Sequence, residues 1–362
     1  MLIDIATSLP PYKVSQERAA SELKKRMATR PAIERLIDAA SLHSGINTRY
    51  FVVPDGEENS PSKFYSLDNK SFSPDTKLRM NEYEKWAKQL TNEAVQKLIN
   101  QTHLDIKNID RLITISCTGF YAPGIDYDLI KELNIPSSVK RTNIGFMGCA
   151  ASLIGFNNVS EAMSLNKTSN TILVSVELCS LHLHTEPTRD NILANMIFSD
   201  GAAAVLFSNS NSIPVKPKLE LMHTHSVLFE NSKEIMGWKI GNTGFEMILS
   251  PELPKKITEY AVPSIYKILK ENGYSKDDIK YWALHPGGRA VLDALQNGLC
   301  LEDEKLLPSR NTLKNFGNMS SATILFVLKE IFDTATIHKD ELCCAVAFGP
   351  GLTMEVVIMK GV

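Results

Sequence analysis

Three residues far apart in the chain have the types and settings that acyl-transfer chemistry needs. Cys149 stands in Gly145-Phe146-Met147-Gly148-Cys149-Ala150-Ala151-Ser152, directly ahead of a stretch that reads as a helix. A thiol attacks as its thiolate, and the unpaired N–H groups of a helix start lower its pKa. The small neighbours allow close backbone approach there; the bland alternative is a buried structural cysteine. His285 ends an apolar run and is followed by Pro286-Gly287-Gly288. The C-terminal end of a parallel strand is where α/β folds place their sites, and Gly287 and Gly288 leave room for a ligand along the main chain. The competing account is a core histidine satisfied by backbone groups. Asn318 lies in Phe316-Gly317-Asn318-Met319-Ser320-Ser321-Ala322 at the head of a further helix, where it is either a plain N-cap or an amide donor.

Together, each residue supplies what the others lack. Cys149 carries an acyl group as a thioester, His285 holds the thiolate and then donates to a developing enolate oxygen, and Asn318 gives that oxygen a second hydrogen bond. Such a set suits decarboxylative Claisen condensation, in which a malonyl thioester loses CO₂ and its enolate attacks the acyl-cysteine. A cysteine–histidine–asparagine set also serves thiol-protease hydrolysis, where the amide orients the imidazole. The glycines beside both His285 and Asn318 favour a pocket wall and hence the condensation.

These residues need elements to bring them together. Residues 15–43 are rich in Glu, Lys, Arg, Ala and Leu and predict helix, residues 54–75 (with Pro54, Asp55, Gly56, Ser60, Pro61, Ser62 and Pro74) an exposed loop, and residues 80–101 a further helix. From there one pattern occurs twice. Strand 112–116, a Gly/Pro loop, a helix opened by Cys149 and strand 171–177 are echoed by strand 281–285, Pro286-Gly287-Gly288, a helix opened by Asn318 and strand 343–348. The steps from Cys117 to Cys149 and from His285 to Asn318 are nearly equal, as are those from Cys149 to Val174 and from Asn318 to Ala345. Each unit closes on an apolar β run, Ala203–Phe207 and Leu352–Met359. Strands alternating with helices imply βαβ units and parallel sheets. The expectation is a duplicated, layered α/β fold in which the two helix starts face each other across a pseudo-twofold axis, with an N-terminal half over 1–215 and a C-terminal half over 216–362.

Composition is that of a globular protein: 362 residues, 43% hydrophobic and 22% charged, with a net charge of −2 that argues against nucleic acid as the main partner. Six scattered cysteines without a CxxC pair read as reduced thiols of a cytoplasmic protein. His182 and His184 lack the carboxylate or cysteine company of a metal site. The start, with Asp4 early and no basic and apolar segments, is not a signal peptide, and no apolar run reaches membrane-spanning length.

Gly148-Cys149, His285-Pro286-Gly287-Gly288, Phe316-Gly317-Asn318-Met319-Ser320-Ser321-Ala322 and Phe348-Gly349-Pro350-Gly351-Leu352-Thr353-Met354-Glu355 resemble the signature segments of the chalcone synthase-like type III polyketide synthases of the thiolase superfamily. Phe198-Ser199-Asp200-Gly201-Ala202-Ala203-Ala204 resembles a further family segment, and the likeness runs from about residue 110 to 359. Ser44-Gly45-Ile46-Asn47-Thr48-Arg49-Tyr50 is the best foothold before it. The resemblance implies a homodimer of five-layered αβαβα fold without metal or prosthetic group, using an acyl-CoA starter and malonyl-CoA and releasing a pyrone, resorcinol or phloroglucinol-type product. It casts Cys149 as nucleophile, His285 and Asn318 as the decarboxylating pair, Phe198 and Phe245 as gatekeepers, and Arg49 as a contact to coenzyme A phosphates. Ser320, Gly287 and Gly288 join them as substrate-binding positions. Cys117, Cys179 and His182 stand where plant members carry threonine, and Ala122 where they place a methionine near the partner's cavity, so the plant product does not carry over; His182 brings bulk and a titratable group. Two alternatives are a ketoacyl-ACP synthase III-like enzyme, which usually follows its histidine with Gln-Ala-Asn, and a catalytically silent binding protein of thiolase fold.

Overall fold

The computed structural model describes residues 1–54, 64–65, 73–165, 169–210 and 213–362. Asp55, Gly56, Ser60, Pro61 and Ser62 of the expected loop lie outside the described residues.

The N-terminal half contains β1 (Leu2–Ser8), β2 (Tyr12–Ser15), α1 (Gln16–Met27), α2 (Pro31–Leu42), β3 (Thr48–Phe51) and α3 (Thr76–Thr102). It continues through β4 (Arg111–Ser116), α4 (Ile125–Leu133), β5 (Lys140–Gly145), α5 (Ala151–Leu165), β6 (Asn170–Leu178), α6 (Arg189–Ile197) and β7 (Asp200–Ser208). The helix expected over 15–43 is split in two. Pro31 opens α2, because proline lacks the N–H and cannot sit inside a helix but fits its first turn. Asp75 caps α3 by accepting from Leu78 N at 2.8 Å.

The C-terminal half contains β8 (Leu219–Leu228), β9 (Met236–Gly241), β10 (Gly244–Leu249), α7 (Leu253–Lys256), α8 (Val262–Glu271) and β11 (Ile279–Leu284). Then come α9 (Arg289–Leu299), α10 (Asp303–Phe316), α11 (Thr323–Thr334), β12 (Leu342–Gly349) and β13 (Thr353–Gly361). The expected division at 215/216 falls in the connection between β7 and β8.

The duplication is visible in strand order. The first half runs β1-β7-β6-β4-β5 and the second β8-β13-β12-β11, and the two meet where Leu2 of β1 pairs with Leu219 of β8. In both halves the pairing types agree: β4 with β6 and β11 with β12 are parallel, while β7 and β13 return antiparallel. Parallel sheets were expected and mixed sheets are found. Between β12 and β13 only Pro350-Gly351-Leu352 intervenes, too short for a crossover, so β13 must fold back. The second half also lacks a counterpart of β5, because the segment between His285 and Asn318 forms α9 and α10.

Helices α5 and α11 lie between the two sheets, where Phe156, Val159, Leu325 and Leu328 share one core with strand residues of both halves such as Leu173, Val205, Ala345 and Val357. Tyr83, Leu90, Val95 and Leu98 of α3 cover the outer face of the first sheet, and Ile265, Leu292 and Leu313 of α8 to α10 cover that of the second. Apolar matter on both faces of a sheet requires buried strands, and β6, β7 and β12 are buried throughout. The result is the expected αβαβα layering. Its middle layer brings the starts of α5 and α11 to the same end as Cys117 and His285, which follow β4 and β11.

Candidate active site

Cys149 occupies a tight turn, Gly148–Ala150, that runs directly into α5. Gly148 has φ +65°, and a Cβ there would lie 2.3 Å from Pro350 Cδ, so this turn admits glycine alone. The buried thiol lies 3.6 Å from Ser320 Oγ, to which it donates. Burial pushes it up to about 12, against the opposing pull of Ser320, of Asn318 and of its own backbone N–H. The helix-start effect expected from sequence is therefore present but outweighed by desolvation.

His285 is placed by its main chain, whose N–H donates to Val346 O at 2.8 Å and whose carbonyl accepts from Gly287 N at 3.0 Å. Its ring is buried, yet neither Nδ1 nor Nε2 has a partner among the described residues. Desolvation alone draws it down to about 3. A buried polar group left unpaired costs about 1–3 kcal/mol and calls for an explanation in ligand or catalysis. The core histidine satisfied by backbone is not what is found.

Asn318 has the hydrogen bonds of a cap and an amide nitrogen held beside the cavity. Its Oδ1 accepts from Ser320 N at 2.8 Å and Thr323 Oγ1 at 3.2 Å, as a cap does, and this fixes the amide so that Nδ2 donates to Gly287 O at 3.2 Å. One Nδ2 hydrogen is left over for the cavity. Cys149, His285, Asn318, Gly287 and Phe198 line one cavity, with Ile257 and Val291 closing its far side. Gly287 carries the main chain past the imidazole, where a Cβ would stand 3.8 Å from the ring, and a Cβ at Gly288 would meet Ile197 at 3.6 Å.

A second compartment on the other side of the thiol is lined by Cys117, Thr118, Cys179, Ser320, Trp238 and Met247. Cys117 is oriented by Gly148 N–H, which donates to its sulfur at 3.1 Å, and by Trp238 Nε1, which donates to its carbonyl at 2.8 Å. Beneath lies Glu177, whose carboxylate accepts from Cys117 N at 3.0 Å, from Thr118 Oγ1 at 2.8 Å and from Ser321 Oγ. Burial raises Glu177, and burial first and Glu177 second raise Cys117 and Cys179 well above the ordinary thiol range.

Several expectations need correction. Phe245 is buried against His182 in a stack with centroids 4.2 Å apart, and it also packs on Phe120, Phe146 and Trp238. It does not line either compartment at Cys149. The β10 residue that lines both together with Phe198 is Met247, two positions along the strand, and Met236 of β9 joins it. His182 is not free to titrate: its Nε2 donates to Thr118 O at 2.6 Å and its Nδ1 accepts from Phe245 N at 2.9 Å, which defines the neutral ring, and burial lowers it to about 3. Arg49 is buried and donates to the carbonyls of Asn195 at 2.6 Å and Phe198 at 2.8 Å, so it braces the Phe198 segment and does not reach out to a phosphate. Ala122 stands exposed and outside these cavities. Glu177, Trp238 and Met247 escaped sequence reasoning. A lone carboxylate inside the apolar run 172–178 is the one signal that was there to be used; the hairpin residues carried none.

Among the described residues no group of three or more His, Cys, Asp or Glu side chains is arranged to hold a metal, and no helix is long and apolar enough to cross a membrane.

Residues 220–362 match the family profile described as chalcone and stilbene synthases, C-terminal domain, and residues 63–233 that of FAE1/type III polyketide synthase-like proteins. A protein of Bacillus subtilis (strain 168) named "Putative chalcone synthase" is 30% identical over 368 residues, covering 99% of this chain and 98% of that one. The chain belongs to the chalcone synthase-like type III polyketide synthases of the thiolase superfamily. A 1,3,6,8-tetrahydroxynaphthalene synthase of Streptomyces coelicolor is 27% identical over 354 residues, covering 97% of this chain and 89% of that protein. The crystal structure of PKS-I from the brown alga Ectocarpus siliculosus superposes with a TM-score of 0.91 at 29% identity, over 100% of this chain and 99% of that one. As a member of this family the chain is a condensing enzyme that works on coenzyme A thioesters.

Proposed function

We propose that the enzyme loads an acyl-CoA starter on Cys149, extends it with malonyl-CoA by repeated decarboxylative condensation, and cyclises the product to a pyrone, resorcinol or phloroglucinol-type compound. The observation that carries this is the partnerless imidazole of His285 in one cavity with the Cys149 thiol and the fixed Asn318 amide. Proton transfer from Cys149 to His285 gives a thiolate–imidazolium pair whose mutual attraction offsets the desolvation that holds each partner neutral alone. The thiolate attacks the starter carbonyl, coenzyme A leaves with the proton, and an acyl thioester remains on Cys149. In the malonyl thioester the carboxylate leaves as CO₂, and its bonding electrons move into an enolate. The enolate oxygen accepts from a His285 ring N–H and from Asn318 Nδ2–H. Its carbon then attacks the acyl thioester, and collapse of the adduct frees Cys149 and yields a ketoacyl-CoA two carbons longer. Residues 1–215 supply the nucleophile and residues 216–362 the decarboxylating pair.

This reading includes a cytoplasmic homodimer. Phe120 at 55% exposure and Met147 at 42%, both close to the Phe146 segment, present apolar surface suited to a second copy. The test is incubation with labelled malonyl-CoA and a panel of starters. Labelled CO₂ and an extended product are expected; neither appearing with any starter would overturn the proposal. Cys149→Ala should lose chain extension and keep some CO₂ release, and a variant that extends chains normally would remove Cys149 from its role.

A further inference from the structure

Beyond the thiol compartment lies a larger cavity bounded by α1, β3, α6 and β10. It shares Cys179, Phe198, Trp238 and Met247 as a wall with the compartment that holds Cys149. The apolar part of its lining comes from Ala19 and Leu23 of α1, Phe51 of β3, Ala194 of α6 and the Phe245 ring.

Many of its polar atoms are engaged within the protein. Asn195 Nδ2 donates to His184 O at 2.8 Å, Asn191 Nδ2 to Glu186 O at 3.1 Å, and Ser180 Oγ to Asp200. His184 Nε2 meets Phe245 O at 2.8 Å, and His182 uses both ring nitrogens as described. Glu22 is paired with Arg18 at 2.9 Å and with Lys25 at 2.7 Å, Arg26 donates to Tyr65 O, and Arg49 spends Nη1 on the carbonyls of Asn195 and Phe198 while its Nε lacks a partner. An apolar ligand would remove hydrocarbon surface from water without breaking a hydrogen bond.

We propose that this cavity receives the aliphatic tail of the starter acyl group, making linear, saturated acyl-CoAs of medium to long chain the preferred starters. The inference rests on Cys149 as the acyl-carrying thiol. The shared wall suits passage, since Cys179 is small and Met247 is an unbranched side chain that repacks readily. Leu23 and Ala194, on α1 and α6, set how far the tail runs. His182 and Phe245, stacked and hydrogen-bonded, form a fixed floor along its path.

The experiment is kcat/KM for butyryl-, octanoyl-, dodecanoyl- and palmitoyl-CoA with malonyl-CoA and the full-length enzyme. Burial of each methylene is worth up to about fourfold, so kcat/KM should climb with length until the cavity is full. Ala194→Trp and the milder Ala194→Leu and Leu23→Trp should lower the dodecanoyl-to-butyryl ratio, by about tenfold or more in a tryptophan variant. A flat or falling profile in the native enzyme overturns the proposal whether or not any variant folds, as does an unchanged ratio in a folded tryptophan variant. No malonyl-dependent CO₂ with any starter would instead sink the condensing mechanism. A flat profile with CO₂ release sinks only the tail cavity.

Discussion

His285 and Asn318 differ in how the fold treats them. The amide is held at both ends, by Ser320 N and Thr323 Oγ1 on its oxygen and by Gly287 O on its nitrogen. The imidazole is held only through its main chain, and its buried ring keeps a donor and an acceptor for whatever enters. Removing a pre-aimed donor to a developing oxyanion typically costs about 10²–10³ in rate. Asn318→Ala should therefore slow CO₂ release from malonyl-CoA by that factor; a loss of less than about tenfold would exclude the amide as donor. The two buried neutral rings also shape stability. His285 and His182 fall from an ordinary 6.5 to about 3, so their contribution is whole above pH 6.5 and is lost as pH falls toward 3. Each adds a slope of up to about 1.4 kcal/mol per pH unit in that window. Asp200, raised to about 7 by burial, acts in the opposite sense, favouring the fold below its ordinary 3.8 and losing that contribution as pH rises through 7. Urea unfolding between pH 6.5 and 4 should show a shallower acid loss in His285→Gln than in the native protein. Identical slopes would mean that the ring is not held neutral.

At the scale of elements, the β9–β10 hairpin decides what the thiol faces. Gly241 pairs with Gly244 and Trp238 with Met247, which sets Trp238 and Met247 side by side at the compartment wall. Phe245 lies on the same face of β10 but one step nearer the turn, where His182, Phe120 and Phe146 enclose it. The two positions should respond differently to substitution. Phe245→Ala should cost about 3–5 kcal/mol of stability, as loss of a packed aromatic does. Met247→Phe should leave the thermal midpoint within a few degrees and change the product profile on a fixed starter. A stable Phe245→Ala, or a Met247→Phe enzyme with unaltered products, would reverse these assignments.

The whole molecule is two halves that cannot be told apart at their centre. Ser152 of α5 donates to Ser321 O at 2.6 Å, Ser175 of β6 lies 2.9 Å from Ser321 Oγ, and Ser321 in turn donates to Glu177. The hydrophobic layer around α5 and α11 likewise draws on both sheets. One core shared in this way predicts one unfolding transition, even though two topologically similar sheets are present. Near-UV signals reporting on Trp282, packed in the C-terminal sheet's outer core, and far-UV signals reporting on all helices should therefore coincide in urea. Separate midpoints would show the halves to be independent domains.

What sequence alone determined here was what is local in cause. Gly148 beside Cys149, the glycines after His285, the capping geometry of Asn318 and the twice-used order of strand, loop and helix starts all follow from backbone sterics and periodicity over a few residues. The C-terminal half departed from that pattern where α9 and α10 replace a fifth strand, since nothing short-range distinguishes a missing edge. Tertiary structure alone decided which hairpin side chains line the thiol compartments, why His182 cannot titrate, why Arg49 turns inward to Phe198 O, and that a second cavity adjoins the thiol. Each of these depends on groups from elements distant in the chain competing for the same buried space. Burial and hydrogen-bond partnership are properties of that assembled packing and are set by no single segment.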